Sequence, residues 1–398
     1  MQYRFSERIM AAKPSATRAV AEKAKEMAKQ GFPVISFSAG EPDFISPPAT
    51  REWAIKGMDA GDTHYTGTAG NAAVREAVCG YYKREFDLVY QPDEVIVGAG
   101  AKPLLYEALG CLVDPGDEVI IFAPAWVSYV EQVGLFAGKA IIVDTAETGL
   151  QPRIEAVKKV LTPKTKVIML NTPNNPTGKI YHDAFIIDLC TLAREKGIII
   201  LNDEIYEKIV FDGRKYHNPV QLMPESRDVV INVNGASKAF AMTGWRIGYA
   251  TGPREIIKKM STMQGHVTSA PCTIAQWATV GAIKESASDV AAMAAEYQTR
   301  KDAVMELLDK CRHIKCDQPE GTFYAFFDVR PLVGKTYKGK VITDDVTFCE
   351  IVIEEAHIAF VPGTAFLAPG FVRMSFATAL PQIREGLERL RLFLEAID

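Results

Sequence analysis

The chain has 398 residues, 48% of them hydrophobic, with 45 Lys plus Arg against 49 Asp plus Glu and a net charge of -4. That length suffices for two packed units with a cleft between them. So balanced a charge, without a polybasic run or an acidic tail, excludes the electrostatic footprint of a nucleic-acid or anionic-membrane binder.

The first twenty residues, MQYRFSERIMAAKPSATRAV, carry charges throughout and lack an apolar stretch, so they predict no export signal. Nowhere do eighteen apolar residues run together. The seven cysteines form neither a C-x-x-C pair nor a Cys/His zinc spacing. Together these features predict small buried thiols in a reducing, cytoplasmic protein with no metal site.

Residues 13–31 have an amphipathic helical pattern, expected to pack on a smaller unit or to cross to a second subunit. Short β-branched runs then alternate with segments of helical period: VIVG from Val95, EVIIFA from Glu118, AIIV from Ala140, KVIML from Lys166, GIIILND from Gly197, VVINV from Val229 and RIGYAT from Arg246. Several are apolar on both faces, as a sheet covered by helices on both sides requires. Helices fit between them at 102–112, ended by DPGD, and at 183–196, ended by Gly197. Beyond residue 290 the character changes to a charged helix at 291–310, the run GTFYAFFDV, a helix near 347–356, the strand VRMSFA and a last helix. The pattern predicts an α/β protein in which residues 1–48 form an N-terminal arm and part of a small unit. Residues 49–289 form a large unit and 290–398 a small α+β unit.

GIIILNDEIY places Asp203 just beyond the carboxyl end of an apolar strand, where open α/β sheets present ligand-contacting groups; a loop start or helix cap is the plainer alternative. PNNPTG follows KVIML directly, and a turn needs only one of Asn174 and Asn175, leaving an amide for a ligand. VIVGAGAKPLLY reads as strand, Gly-rich turn and helix, a geometry that offers backbone N–H groups to an anion. Pro103 stands where a dinucleotide fingerprint needs glycine, and a Walker A pattern is absent, so a single phosphate fits better.

The segment NVNGASKAFAMTGWRIG holds two cations, Lys238 and Arg246, with no other formal charge between Asp228 and Arg254. Small and apolar surroundings would desolvate Lys238 so that its amine can lose a proton and attack a carbonyl. Arg246 cannot lose its proton, so burial would oblige it to hold an anion, and a phosphate suits its forked donors. An amine, a carboxylate, an amide, an anion turn and an arginine are the parts that hold pyridoxal phosphate.

The blocks KPSAT, SAGEPDF, HYTGTAGNAAVREA, DPGDEVI, PAWVSY, NTPNNPTG, NDEIY, NGASKAFAMTGWRIGY, IAQWAT, VPGTAF and VRMSFA span residues 13–377. In them the sequence resembles a class I aminotransferase of fold type I, close to the bacterial aspartate and aspartate/prephenate subgroup. The resemblance implies a mostly parallel sheet sandwiched by helices, a homodimer with shared sites, and amino acid and 2-oxo acid substrates. By it, Lys238 is the lysine that carries the cofactor and shuttles the proton. Asp203 pairs with the ring nitrogen, and Asn175 and Tyr206 donate to the ring hydroxyl oxygen.

Trp126, otherwise an ordinary core aromatic, stacks on the ring by the same resemblance. Gly100, Ala101 and Lys102 form the phosphate turn, completed by Ser237, Arg246 and Tyr65 of the neighbouring subunit. Arg373, otherwise a surface ion-pair residue, clamps the substrate α-carboxylate together with the backbone of Gly40. Ala101, Ala125 and Arg18 depart from the subgroup near the substrate pocket. Aspartate with 2-oxoglutarate is the expected pair, with aromatic or prephenate specificity as an alternative. A carbon–sulfur β-lyase uses the same cofactor groups, and a regulatory ligand-binding module is a third reading. About thirty residues before the first strand, without a helix-turn-helix or a basic face, speak against the last.

Overall fold

The computed structural model describes residues 3–398. Its central sheet has seven strands in the spatial order Val95–Gly98, Gly248–Thr251, Val230–Gly235, Ile199–Asp203, Thr165–Asn171, Glu118–Ala123 and Lys139–Asp144. Neighbours are parallel except around Gly248–Thr251, which runs antiparallel to both of its partners. Alternation along each strand feeds two cores. Ile120, Phe122, Ile168 and Leu170 pack on one face, and Val119, Ile121, Val167 and Met169 on the other. Of the two edge strands, Lys139–Asp144 buries only Val143, whereas Val95–Gly98 is buried throughout.

A third core gathers around a four-stranded sheet in which Tyr324–Asp328 pairs antiparallel with Phe371–Ser375. The N-terminal segment belongs with it: Ile35–Ser36 pairs in parallel with Ile358–Ala359. The amphipathic helix Ala16–Lys29 buries Ala24 against Ile353 and Ala359. Phe37 of this segment, Tyr206 of the large sheet's connection and Phe323 share that core, so the carboxyl edge of the seven-stranded sheet is roofed by the smaller one. Among the described residues no helix is long and apolar enough to cross a membrane.

Three expectations shift. The charged helix covers Ala287–Leu308 rather than 291–310. Asp203 is the last residue of its strand instead of lying beyond it, because its backbone stays paired with Asn171 and Val233. The strand expected from Arg246 begins at Gly248, and Arg246 itself is left-handed, with φ 52°, at the end of a short 3-10 turn.

Candidate active site

The seven-stranded sheet ends in polar residues under the roof. Asn171 and Asp203 close adjacent strands, and the Asn171 side-chain amide donates to the Asp203 carbonyl at 2.9 Å. Gly235, Gly248 and Gly98 lie level on the next three strands. A Cβ on Gly248 would stand 2.5 Å from the Ala101 nitrogen, so glycine there lets the turn after Gly98 lie flat across the sheet end. The turn leads into the helix Ala101–Leu112, whose N-cap, Gly100, has φ 115° and supplies no side-chain cap. Its first backbone N–H groups therefore point outward without a side-chain acceptor.

A cavity of about 340 Å³ opens between these strand ends and the roof. Gly40, Ala101, Lys102, Trp126, Asn175, Asp203, Tyr206, Ser237, Lys238, Arg246 and Arg373 all line it. Gly100 lies just behind, where a Cβ would touch the Arg246 guanidinium at 2.7 Å. Tyr65 is apart: it is 94% exposed and does not line this cavity.

Lys238 follows the strand Val230–Gly235 and donates from Nζ to the Gly40 carbonyl, between the rings of Tyr206 and Phe323 at 5.9 and 5.8 Å. Burial lowers its pKa to about 8, so a fraction of the amine is neutral near physiological pH. Asp203 accepts from the Tyr129 hydroxyl at 2.7 Å and from the Ile205 backbone N–H at 3.3 Å. Burial nevertheless raises its carboxyl to about 6, against an ordinary 3.8.

Arg373 is 2% exposed. It donates to Asn175 Oδ1 at 3.1 Å and to the Ser38 carbonyl at 2.9 Å, while Nε has no partner among the described residues. A buried guanidinium held only by neutral acceptors and left one donor short is a site for an anion. This disposes of the surface ion pair for Arg373.

Arg246 corrects the sequence reading. It is exposed at the cavity mouth and donates to the Thr243 carbonyl at 2.9 Å, so apolar neighbours in sequence did not bury it. An anion there is favoured by geometry, with the guanidinium beside Gly100, and not by a need to neutralise a buried charge. Of the asparagine doublet, Asn174 serves the turn by accepting from Thr177, and Asn175 faces the cavity.

Sequence reasoning passed over several lining residues. Tyr129 and Tyr324 each hold a predicted residue by its polar atom, Asp203 and Tyr206 respectively. Glu41 and Thr243 pair at 3.0 Å across the mouth, and Thr17 comes from the N-terminal helix. The last residue of PAWVSY and the fourth of GTFYAFFDV carried the available signal, an aromatic with a polar tip beside a site motif. Lys102 lies 4.6 Å from the Trp126 ring centroid, and burial, then the Arg246 and Arg18 charges, lower its pKa.

Residues 33–390 match the family described as aminotransferase class I and II. The chain is 42% identical to the aspartate/prephenate aminotransferase of Cereibacter sphaeroides, over 99% of both chains. It is 41% identical to that of Thermus thermophilus, over 97% of both. Among solved structures, the aspartate aminotransferase of Rhizobium meliloti superposes with a TM-score of 0.96 at 37% identity, over all of both chains. That of Thermus thermophilus with maleate superposes at 0.93 and 40%, covering 99% of this chain and all of the other. With the family match spanning most of its length and relatives of this identity aligned end to end, the chain belongs to the class I and II aminotransferases.

Proposed function

We propose that this chain is a pyridoxal-phosphate-dependent aspartate aminotransferase, passing the amino group of aspartate to 2-oxoglutarate in two half-reactions. One observation carries the reading: a single cavity holds a lysine whose amine is depressed to about 8, a buried carboxylate, and a buried arginine with a donor to spare.

The residues fit the cofactor. The bare helix start at Gly100–Lys102, with Ser237 and Arg246 beside it, suits a phosphate, and Tyr65 of a second copy completes it on this reading. Asp203 would hold a proton at the ring nitrogen, Tyr206 and Asn175 would serve the ring hydroxyl oxygen, and Trp126 would cover a ring face. When bound, pyridoxal phosphate supplies an aldehyde for the amino group and a ring that draws electrons from the substrate α-carbon.

The protein supplies position and proton transfer. Arg373 and the Gly40 backbone fix the α-carboxylate, so that the α-hydrogen lies toward Lys238. Lys238 Nζ, as a neutral amine, would take that proton and hold it for return. The surrounding phenyl and phenol rings exclude water and keep the amine basic without keeping it charged.

Lys102 and Thr17 in the same cavity favour an acidic substrate side chain. Relatives named for prephenate as well as aspartate make prephenate the next acceptor to try. We read residues 1–48 as an N-terminal arm and part of the small unit that 290–398 completes over the large unit 49–289, and we read the assembly as a cytoplasmic homodimer. The test is a half-reaction screen in which the cofactor-loaded protein is mixed with each amino acid and the loss of its visible absorbance followed. Fast conversion by aspartate and glutamate supports the reading; conversion by aromatic amino acids alone overturns the substrate assignment.

A further inference from the structure

Tyr324 opens the strand Tyr324–Asp328, and its neighbour Phe326 stands opposite Arg373 on Phe371–Ser375. Because side chains alternate along a strand, Tyr324 and Arg373 leave the same face one diagonal step apart. The Arg373 guanidinium lies 4.4 Å from the Tyr324 ring centroid. The Tyr324 hydroxyl lies 3.0 Å from that of Tyr206, with the rings 5.8 Å apart and inclined at 75°. Gly40 closes the third side, since a Cβ there would come within 2.8 Å of the same hydroxyl. Arginine, backbone and phenol thus hold the ring, and its polar tip meets Tyr206.

We propose that Tyr324 is a positioning residue for amino-group transfer: it donates its hydroxyl proton to Tyr206 and so commits the Tyr206 proton to the ring oxygen of the cofactor. The inference rests on the placement of Tyr206 against that oxygen. Each phenol has one proton and two acceptor lone pairs, and two facing hydroxyls share only one hydrogen bond. If Tyr206 donated to Tyr324, it would present a lone pair to an oxygen that carries negative charge. The arrangement in which Tyr206 serves the cofactor is therefore the one in which Tyr324 is the donor of the pair. Hydrogen bonds in sequence reinforce one another, so Tyr206 becomes a better donor when it is itself an acceptor. Burial raises the pKa of both phenols, which keeps both protons in place for this chain. Arg373 on the Tyr324 ring links the anchor of the α-carboxylate to the same chain.

The experiment compares wild type, Tyr324→Phe, Tyr206→Phe and the double variant, each loaded with pyridoxal phosphate, by titrating the visible absorbance against pH and by measuring the cofactor dissociation constant. A donor at the ring oxygen stabilises its negative charge and loosens that charge's hold on the proton at Lys238 Nζ. Weakening the donor moves the titration midpoint up. Tyr324→Phe, which keeps the ring beneath Arg373, is expected to raise the midpoint by about half to one pH unit and to weaken cofactor binding roughly threefold to tenfold. Tyr206→Phe is expected to raise it further, and the double variant to match Tyr206→Phe alone, because Tyr324 acts through Tyr206. A Tyr324→Phe midpoint equal to wild type beside a shifted Tyr206→Phe overturns the inference, and so do shifts that add in the double variant. An unmoved midpoint in Tyr206→Phe overturns the placement of Tyr206 itself, and the inference with it.

Discussion

The five residues Asp203–Glu207 face two ways, and the two sides are built on opposite terms. Asp203 and Tyr206 line the cavity, where the nearby Arg373 lacks a partner for Nε among the described residues. Glu204 and Glu207 point away into a nest of tyrosines and asparagines. Glu204 there accepts from the hydroxyls of Tyr82 and Tyr216, both at 2.6 Å, from Asn218 at 2.7 Å and from Asn202 at 3.2 Å. Glu207 accepts from Tyr81 and Asn234. Glu204 and Glu207 are met by donors of the protein, whereas the cavity side keeps an arginine donor in reserve. A buried charge with four donors fixes the turn; a buried charge that is short of them awaits a ligand.

That contrast is tested most strongly at Lys238. Lys238→Ala should lower the rate of amino transfer by at least about 10⁴-fold, since the residue both carries the cofactor and moves the proton. Steady-state assays over the same substrate range check this. On the other side of the turn, Glu204→Ala leaves two buried phenols and two amides without their common acceptor, at a cost on the order of 3 kcal/mol of stability by denaturant unfolding. An equal loss from both changes in both assays would break the contrast.

A smaller effect has the opposite sign. In the cofactor-free protein Lys238→Met should stabilise, by on the order of 2 kcal/mol at neutral pH. The folded pKa of about 8 lies below the ordinary 10.5, so the unfolded chain binds the additional proton between those values. The favourable contribution is complete above 10.5 and lost as pH falls through 8. The advantage of Lys238→Met should accordingly vanish in melts at high pH.

Asp203 gives the smallest effect. Its folded pKa of about 6 exceeds the ordinary 3.8, so its contribution is present below 3.8 and lost as pH rises through 6. Asp203→Asn should flatten that part of the pH–stability curve in the cofactor-free protein, by about 1 to 2 kcal/mol. It should also weaken cofactor binding.

The sequence made the chemical groups legible where a charge interrupts an apolar run. Asp203 at a strand end, Lys238 in a small-residue segment and Arg373 on an apolar strand all stood out in this way, and all three line one cavity. Arg246 shows the limit of that logic. Its neighbours in sequence are apolar, yet it sits on a left-handed turn at the cleft mouth and stays exposed. Tyr129 and Tyr324 were hidden for a different reason: an aromatic among apolar residues has the pattern of core, and only the fold shows which hydroxyl meets Asp203 or Tyr206. The sheet was readable from alternation and β-branched runs. The antiparallel strand Gly248–Thr251 was not, because strand direction depends on long-range pairing.

The most direct test of the central assignment is to load the protein with pyridoxal phosphate, reduce it with borohydride and map the modified peptide by mass spectrometry. The account predicts a single stoichiometric label on Lys238. A label on another lysine, or no fixed cofactor at all, would contradict it.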